Sequence, residues 1–310
     1  MKISVLGAGA MGSLFGGLLA QDGHAVSLLD INAAHLDAIR ERGLLLEARE
    51  STRAIANLSV SRPEAARSIP DLLIVFTKSL HTRVALSSLN GIIGPETLVL
   101  TLQNGLGNIE LITEFVPIRQ VLIGVTTWPA DLIGPGQVSS HGDGGIRMMS
   151  ADGVARPEVD AIAAALDSAG LCCVVDRNVW AAIWEKVAFN AALNSLCAVT
   201  GCAVDGLGAV PDGPQLAAGI VTEVLAVARA RGIDADLHGC LANVSHAIET
   251  HHGHKPSMLQ DVLAGRRTEI ESINGAVVAA AREVGVPVTH TATMLQLVRL
   301  VEARAGHSHR

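Results

Sequence analysis

The stretch MKISVLGAGAMGSLFGGLLAQDGHAVSLLD, residues 1–30, decides the fold of the first half of this chain. Residues 2–6, KISVL, form a short apolar run of strand character that passes without a gap into Gly7-Ala8-Gly9-Ala10-Met11-Gly12. Apolar residues then recur with helical period from Met11 to about Gln21, and HAVSLLD reads as a second strand ending at Asp30. The result is a βαβ unit with a glycine-rich turn between strand and helix. Gly7 permits the tight turn, Gly9 lets the backbone approach a pyrophosphate, and Gly12 lets the helix pack closely on the strand. The helix N-terminus adds N–H donors and partial positive charge, so Gly7, Gly9, Ala10, Met11 and Gly12 form a candidate phosphate cradle. Asp30 stands where a carboxylate accepts hydrogen bonds from an adenosine ribose. Small residues at a strand-helix junction also serve packing alone, but here strand, helix and terminal acid agree on a dinucleotide.

The whole chain narrows the classes. Its 310 residues suffice for two ordinary domains, each with its own core. Hydrophobic residues at 49% against 17% charged describe a folded rather than a disordered chain. No apolar run nears the roughly 20 residues of a membrane span, and the opening reaches glycine before a signal-peptide core could form. We therefore expect a cytoplasmic protein with no membrane segment. A net charge of -7 without a basic patch argues against a nucleic-acid partner. The 5 cysteines form no CxxC pair and read as reduced small hydrophobes. Tyrosine is absent, which excludes the tyrosine and lysine pair of short-chain dehydrogenases and leaves Lys, His, Asp, Glu or Cys as proton donors.

Strand and helix patterns continue to alternate. DLLIVFTK (71–78), TLVLTLQN (97–104) and QVLIGVTTW (120–128) read as buried parallel strands, residues 129–150 as loop or hairpin, and LCCVVD (171–176) as a last short strand. That succession predicts an α/β fold, a Rossmann-type doubly wound parallel sheet with ligands beyond the carboxyl ends of its strands. Lys78 and Asn104 lie at two such ends. Alone, Lys78 reads as an ordinary solvated lysine and Asn104-Gly105 as a turn. From Asn178 onward the pattern is helical, so we expect a dinucleotide-binding domain over 1–176 and an all-helical substrate and catalytic domain over 177–310. The terminal HSHR (307–310) reads as a frayed tail.

WAAIWEKVAFNAALNSL (180–196) is the most informative helix. Lys186, Asn190 and Asn194 share one face at i, i+4 and i+8 and are its only polar strip, either lining a cavity or forming a narrow solvated edge with Trp180 and Trp184 in the core. Further on, Ser257 and Gln260 have the spacing of a capping box, which gives Ser257 a role as N-cap without any ligand. Glu269, in RRTEIE, reads by default as part of a solvated charged face. Three histidines in THHGHKP lack the spacing of a preformed metal site, and no metal is expected.

Taken together, GAGAMG, FTK (76–78), QNGLGN (103–108), WEKVAFNAALN (184–194) and SMLQDVLAGRRTEIESINGAVV (257–278) resemble the ketopantoate reductase family in order and over nearly the whole chain. The resemblance implies reduction of a 2-oxo acid by hydride from NAD or NADP, principally 2-dehydropantoate to (R)-pantoate in the pantoate pathway. It places the family's general-acid lysine on Lys186, its catalytic glutamate on Glu269 and its substrate residues on Asn190, Asn194 and Ser257. Lys78 and Asn104 fall at the nicotinamide edge, Asn104 on the substrate side as well, and a homodimer is the family's default. Two departures stand out. DINAAH offers Asp30 and no Lys or Arg before Arg40, where NADPH-using members carry a base, so NAD is favoured over NADP. HHGHKP has His254 where asparagine is frequent and Pro256 where serine is common, which leaves open a D-2-hydroxy acid dehydrogenase of mandelate type. A non-catalytic NAD(H) sensor is the alternative outside enzymes.

Overall fold

The structure is a computed structural model and describes residues 1–48, 51–89 and 91–307. It divides into two compact units, one of residues 1–103 with 108–179 and one of 104–107 with 180–310.

The first unit runs β1 (Lys2–Leu6), α1 (Ala10–Gln21), β2 (Ala25–Leu29), α2 (Ala33–Arg42), β3 (Leu44–Ala48), β4 (Ser51–Ile55), β5 (Leu58–Ser61), β6 (Leu72–Val75), α3 (Thr82–Ser87) and β7 (Leu98–Thr101). It continues through α4 (Asn108–Ile112), β8 (Val121–Thr126), β9 (Asp131–Gly134), β10 (Gln137–Ser140), β11 (Ile146–Ser150), α5 (Pro157–Leu166) and β12 (Cys173–Val175). Eight strands form one sheet in the order β12-β11-β8-β7-β6-β1-β2-β5. β6 and β8 are buried at every position, as continuous apolar runs covered on both faces must be. The chain steps from β1 to β2 and β5 on one side, then returns to β6 on the other, so the order reverses beside β1. Leu6 lies level with Leu29 and with Val75, and Val75 with Thr101. The glycine turn, Asp30 and the Phe76–Lys78 segment therefore leave the sheet at one edge, at its topological switch point.

The helix behind that turn packs closely because its inner face is small. A Cβ on Gly16 would meet Leu28 Cδ2 at 2.4 Å. Phe15 fills the space beside it, with its ring edge-on to Phe76 at 4.8 Å. β11 runs antiparallel to β8, with Ile146 opposite Thr126, because the chain turns back through the β9–β10 hairpin instead of crossing by a helix. A second, 4-stranded sheet ordered β4-β3-β10-β9 is absent from the sequence reading: its strands are too short and mixed to stand out, and β10 joins β3 only in space.

The second unit contains α6 (Val179–Thr200, whose first residue clusters with the first unit), α7 (Asp212–Ala230), α8 (Leu237–Thr250), α9 (Ser257–Leu263), a π-helical turn at Glu271–Gly275, α10 (Ala276–Val284) and α11 (Thr289–His307). Ser308–Arg310, the rest of the expected frayed tail, lie outside the described residues. Ala188, Ala191, Ala192 and Ser195 are buried along α6, and these small side chains let neighbours approach its backbone. Asn274, fully buried in the π-helical turn, donates from Nδ2 to Ala191 O at 3.2 Å and so ties that turn to α6. Glu223 of α7 binds the start of α11, accepting from the N–H groups of His290 and Thr291 at 2.8 Å each.

Candidate active site

The glycine-rich turn keeps its shape through close approach. Gly7 has φ +96°, and a Cβ there would lie 2.7 Å from Thr77 N, so no side chain fits between the turn and the chain leaving β6. A Cβ on Gly12 would fall 1.9 Å from Gly7 O, which makes Gly12 the residue that lets α1 settle on the turn. At Gly9 the reason is different: an added Cβ meets nothing within 4 Å, so the space outside the turn is open. Gly9 is exposed, and Ala10 and Met11 are half-buried at the first positions of α1. Together they present an open, backbone-lined helix start that fits a pyrophosphate.

Asp30 is fastened to this turn. Its Oδ2 accepts from Ala8 N–H at 2.7 Å and its Oδ1 from Asn32 N–H at 2.9 Å. Each carboxylate oxygen keeps a second lone pair, which suits the diol of a ribose. Sequence order hid one neighbour: Arg62, just past β5, donates from Nη1 to Ile31 O at 3.3 Å while its Nε holds Glu64 at 2.5 Å. A cation thus reaches the residue after Asp30 from 31 positions downstream. Lys78 is half-buried three residues beyond β6, where its carbonyl accepts from His81 N–H at 2.8 Å.

In the second unit, α6 carries Lys186, Asn190 and Asn194 on one face. Asn190 and Asn194 are only 9% and 5% exposed, which removes the solvated-edge reading, and Trp180 is 37% exposed rather than in the core. Lys186 is half-buried. Burial drives its ammonium down to about 8, against the opposing pull of the Glu269 carboxylate. Glu269 is half-buried as well and does not share the solvated role of Glu271, which pairs in the open with Arg299 at 2.7 Å.

Asn104 meets Glu269 here, donating from Nδ2 to Oε2 at 3.3 Å. The contact depends on Gly105, which the sequence offered only as half of an Asn-Gly turn. At φ +84° it passes so near the π-helical turn that a Cβ would lie 2.2 Å from Ser272 O, the same oxygen that accepts Leu106 N–H at 2.8 Å.

Ser257 departs from its expected structural role. The N-cap of α9 is Pro256, and Ser257 is an exposed first helical residue whose hydroxyl makes no cap hydrogen bond. Gln260 reaches back instead to Lys255 O at 3.0 Å. The capping box fails because proline takes the preceding position with ψ 157°, which leaves the serine hydroxyl outside the helix start. His252 of THHGHKP faces Asp205 at 3.6 Å, and no group of three or more His, Cys, Asp or Glu gathers as a metal site among the described residues. Among the same residues, no helix is long and apolar enough to cross a membrane.

An open glycine turn with an acid-anchored βαβ unit, joined in one chain to a lysine and carboxylate group on a helical unit, defines a dinucleotide-dependent oxidoreductase. The comparisons carry this further: the ketopantoate reductase PanE/ApbA family model matches residues 3–153 and its C-terminal model matches residues 178–302. The chain belongs to the ketopantoate reductase family. It is 34% identical to the 2-dehydropantoate 2-reductase of Streptococcus pyogenes over 98% of each chain. It is 35% identical to that of Pyrococcus horikoshii over 99% of this chain and 100% of the other. The ternary structure of D-mandelate dehydrogenase with NADH and anilino(oxo)acetate superposes with a TM-score of 0.93 at 32% identity, covering 99% and 100% of the chains. The chain is thus an enzyme of a family that reduces 2-oxo acids with a nicotinamide cofactor.

Proposed function

We propose that this chain catalyses the NADH-dependent reduction of a 2-oxo acid to a D-2-hydroxy acid, with 2-dehydropantoate giving (R)-pantoate as its reaction. The observation that carries this reading is Lys186: a half-buried ammonium lowered to about 8, beside Glu269 and in line with two buried asparagines. Gly7, Gly9, Ala10, Met11, Gly12, Asp30 and Lys78 would hold the cofactor, which supplies a hydride when bound. The protein supplies everything else. As the C2 carbonyl accepts a hydride, negative charge grows on its oxygen, and the Lys186 ammonium stabilises that charge and then gives up a proton from Nζ. Glu269, held by Asn104, orients Lys186 and favours its return to the protonated form. Asn190, Asn194 and Ser257 bind the substrate carboxylate and side chain through neutral donors, without a competing cation. Asp30 supports NADH, since its carboxylate would repel a 2′-phosphate but accept from a free diol.

One observation favours a second reading, a mandelate-type D-2-hydroxy acid dehydrogenase. Pro256 is buried as the N-cap of α9 and His254 is exposed beside it, so the residues bordering Ser257 differ from the family pattern. Oxidation of NADH and NADPH with 2-dehydropantoate, then with phenylglyoxylate and branched 2-oxo acids, separates the two. Turnover led by 2-dehydropantoate supports the first, turnover with only the others supports the second, and silence with all refutes both. We further propose a cytoplasmic homodimer, for which light scattering should give about twice the 32.1 kDa of the chain.

A further inference from the structure

A chain of buried hydrogen bonds runs through the first unit to the glycine-rich turn. Gly136, just before β10, donates its N–H to His35 Nδ1 at 2.9 Å. An N–H can only donate, so Nδ1 is the acceptor nitrogen and the neutral ring carries its proton on Nε2. That Nε2–H faces Ser13 Oγ at 3.1 Å, and Ser13 in turn donates to Ala8 O at 2.9 Å. Ser13 is 0% exposed, and His35 and Ala8 are 1% exposed, so water cannot substitute along the line. His35 itself is placed by the turn that holds Asp30, since Asn32 Oδ1 accepts its N–H at 3.2 Å. Burial lowers the imidazole from its ordinary value, with Asp30 opposing, which keeps the ring neutral at pH 7.

The end of the chain matters most. Ala8 C=O and Gly9 N–H belong to one planar trans peptide, so they point in opposite directions. With Ala8 O held by Ser13, Gly9 N–H points away from that buried hydroxyl, at a residue that is itself exposed and has open space beside it. The neighbouring Gly7–Ala8 peptide is held separately, through Ala8 N–H on Asp30. Resting on the nicotinamide-cofactor reading, we propose that His35 is a positioning residue for the dinucleotide, acting through Ser13 to hold the Ala8–Gly9 peptide so that Gly9 N–H faces the pyrophosphate.

The test is the NADH dissociation constant of the purified enzyme, read by NADH fluorescence without substrate. Ser13→Ala and His35→Leu each break the chain and should weaken NADH about 3- to 10-fold, the equivalent of one buried hydrogen bond. The double variant should be no weaker than the worse single one. His35→Gln, whose amide can accept from Gly136 and donate to Ser13, should bind NADH as the wild type does. The KM for NADH should rise in the broken variants while kcat at saturating NADH stays within about twofold, a split that general loss of structure would not give. Gly9 should also show the largest backbone 15N shift change in Ser13→Ala. Wild-type NADH affinity in both broken variants, or loss of kcat and melting temperature without a change in affinity, would overturn the proposal. Failure of the wild-type enzyme to bind NADH at all would instead overturn the cofactor reading beneath it.

Discussion

Replacing Gly105 with alanine perturbs the close packing on Ser272 O beside which Asn104 meets Glu269. The new Cβ would sit 2.2 Å from Ser272 O, against 3.4 Å for ordinary contact, so the segment must withdraw by about 1.2 Å, the difference between the two. Withdrawal stretches the Leu106 bond to the same oxygen, now 2.8 Å, and pulls Asn104 from Glu269, already at 3.3 Å. The left-handed backbone adds roughly 1–2 kcal/mol for any residue with a Cβ, and the lost hydrogen bond about 1 kcal/mol. Gly105→Ala should therefore lose about 2–3 kcal/mol of stability in denaturant titration. A displacement of this size at a catalytic group can cost up to about 100-fold, which should appear in kcat/KM for the 2-oxo acid while NADH affinity stays constant. Gly107→Ala is the control, since Gly107 has φ +86° but a Cβ there meets nothing within 4 Å. It should show the backbone penalty alone. Equal stability and equal kcat/KM in the two variants would refute the argument that close packing at Ser272 places Asn104.

Cofactor choice should move with the ribose acid: Asp30→Ala combined with Ile31→Arg should raise the NADPH to NADH ratio of kcat/KM by about tenfold or more, because repulsion is exchanged for attraction. An unchanged ratio would take Asp30 out of the specificity argument. Acid stability should depend on Glu223, where burial raises the carboxyl but hydrogen bonds from Thr291 and His290 outweigh it and hold the group below its ordinary value. A carboxyl lowered in the folded state stabilises above the unfolded value and loses that contribution as pH falls through the folded one. Glu223→Gln should thus melt lower than the wild type near neutrality, with the gap closing below about pH 4.

The glycine-rich turn was legible in the sequence because its parts are local: strand, glycines, helix and Asp30 follow within one βαβ unit, and each leaves its own pattern. The stripe on α6 was equally visible from helical spacing, yet spacing could not separate a buried strip from a solvated one. Burial of Asn190 and Asn194 depends on elements far along the chain. Asn104 and Glu269 illustrate the same limit more sharply. They are 165 positions apart, and their meeting rests on a close backbone passage at Gly105 that periodicity does not register. Arg62 and His35 were silent for the same reason, since a lone base after a strand or a lone histidine on a helix has no pattern. Ser257 shows the reverse error, a correct local motif displaced by the proline beside it.

The most direct measurement of the central claim is the pH dependence of kcat/KM for 2-oxo acid reduction by the wild type and by Lys186→Ala. With the ammonium lowered to about 8, the protonated donor disappears as pH rises, so wild-type reduction should be flat near neutrality and fall above about 8. Lys186→Ala should bind NADH normally, lose about 100- to 10,000-fold in rate and lose that ionisation from its profile. A Lys186→Ala enzyme that keeps both its rate and the fall above about 8 would contradict the assignment of Lys186 as the proton donor.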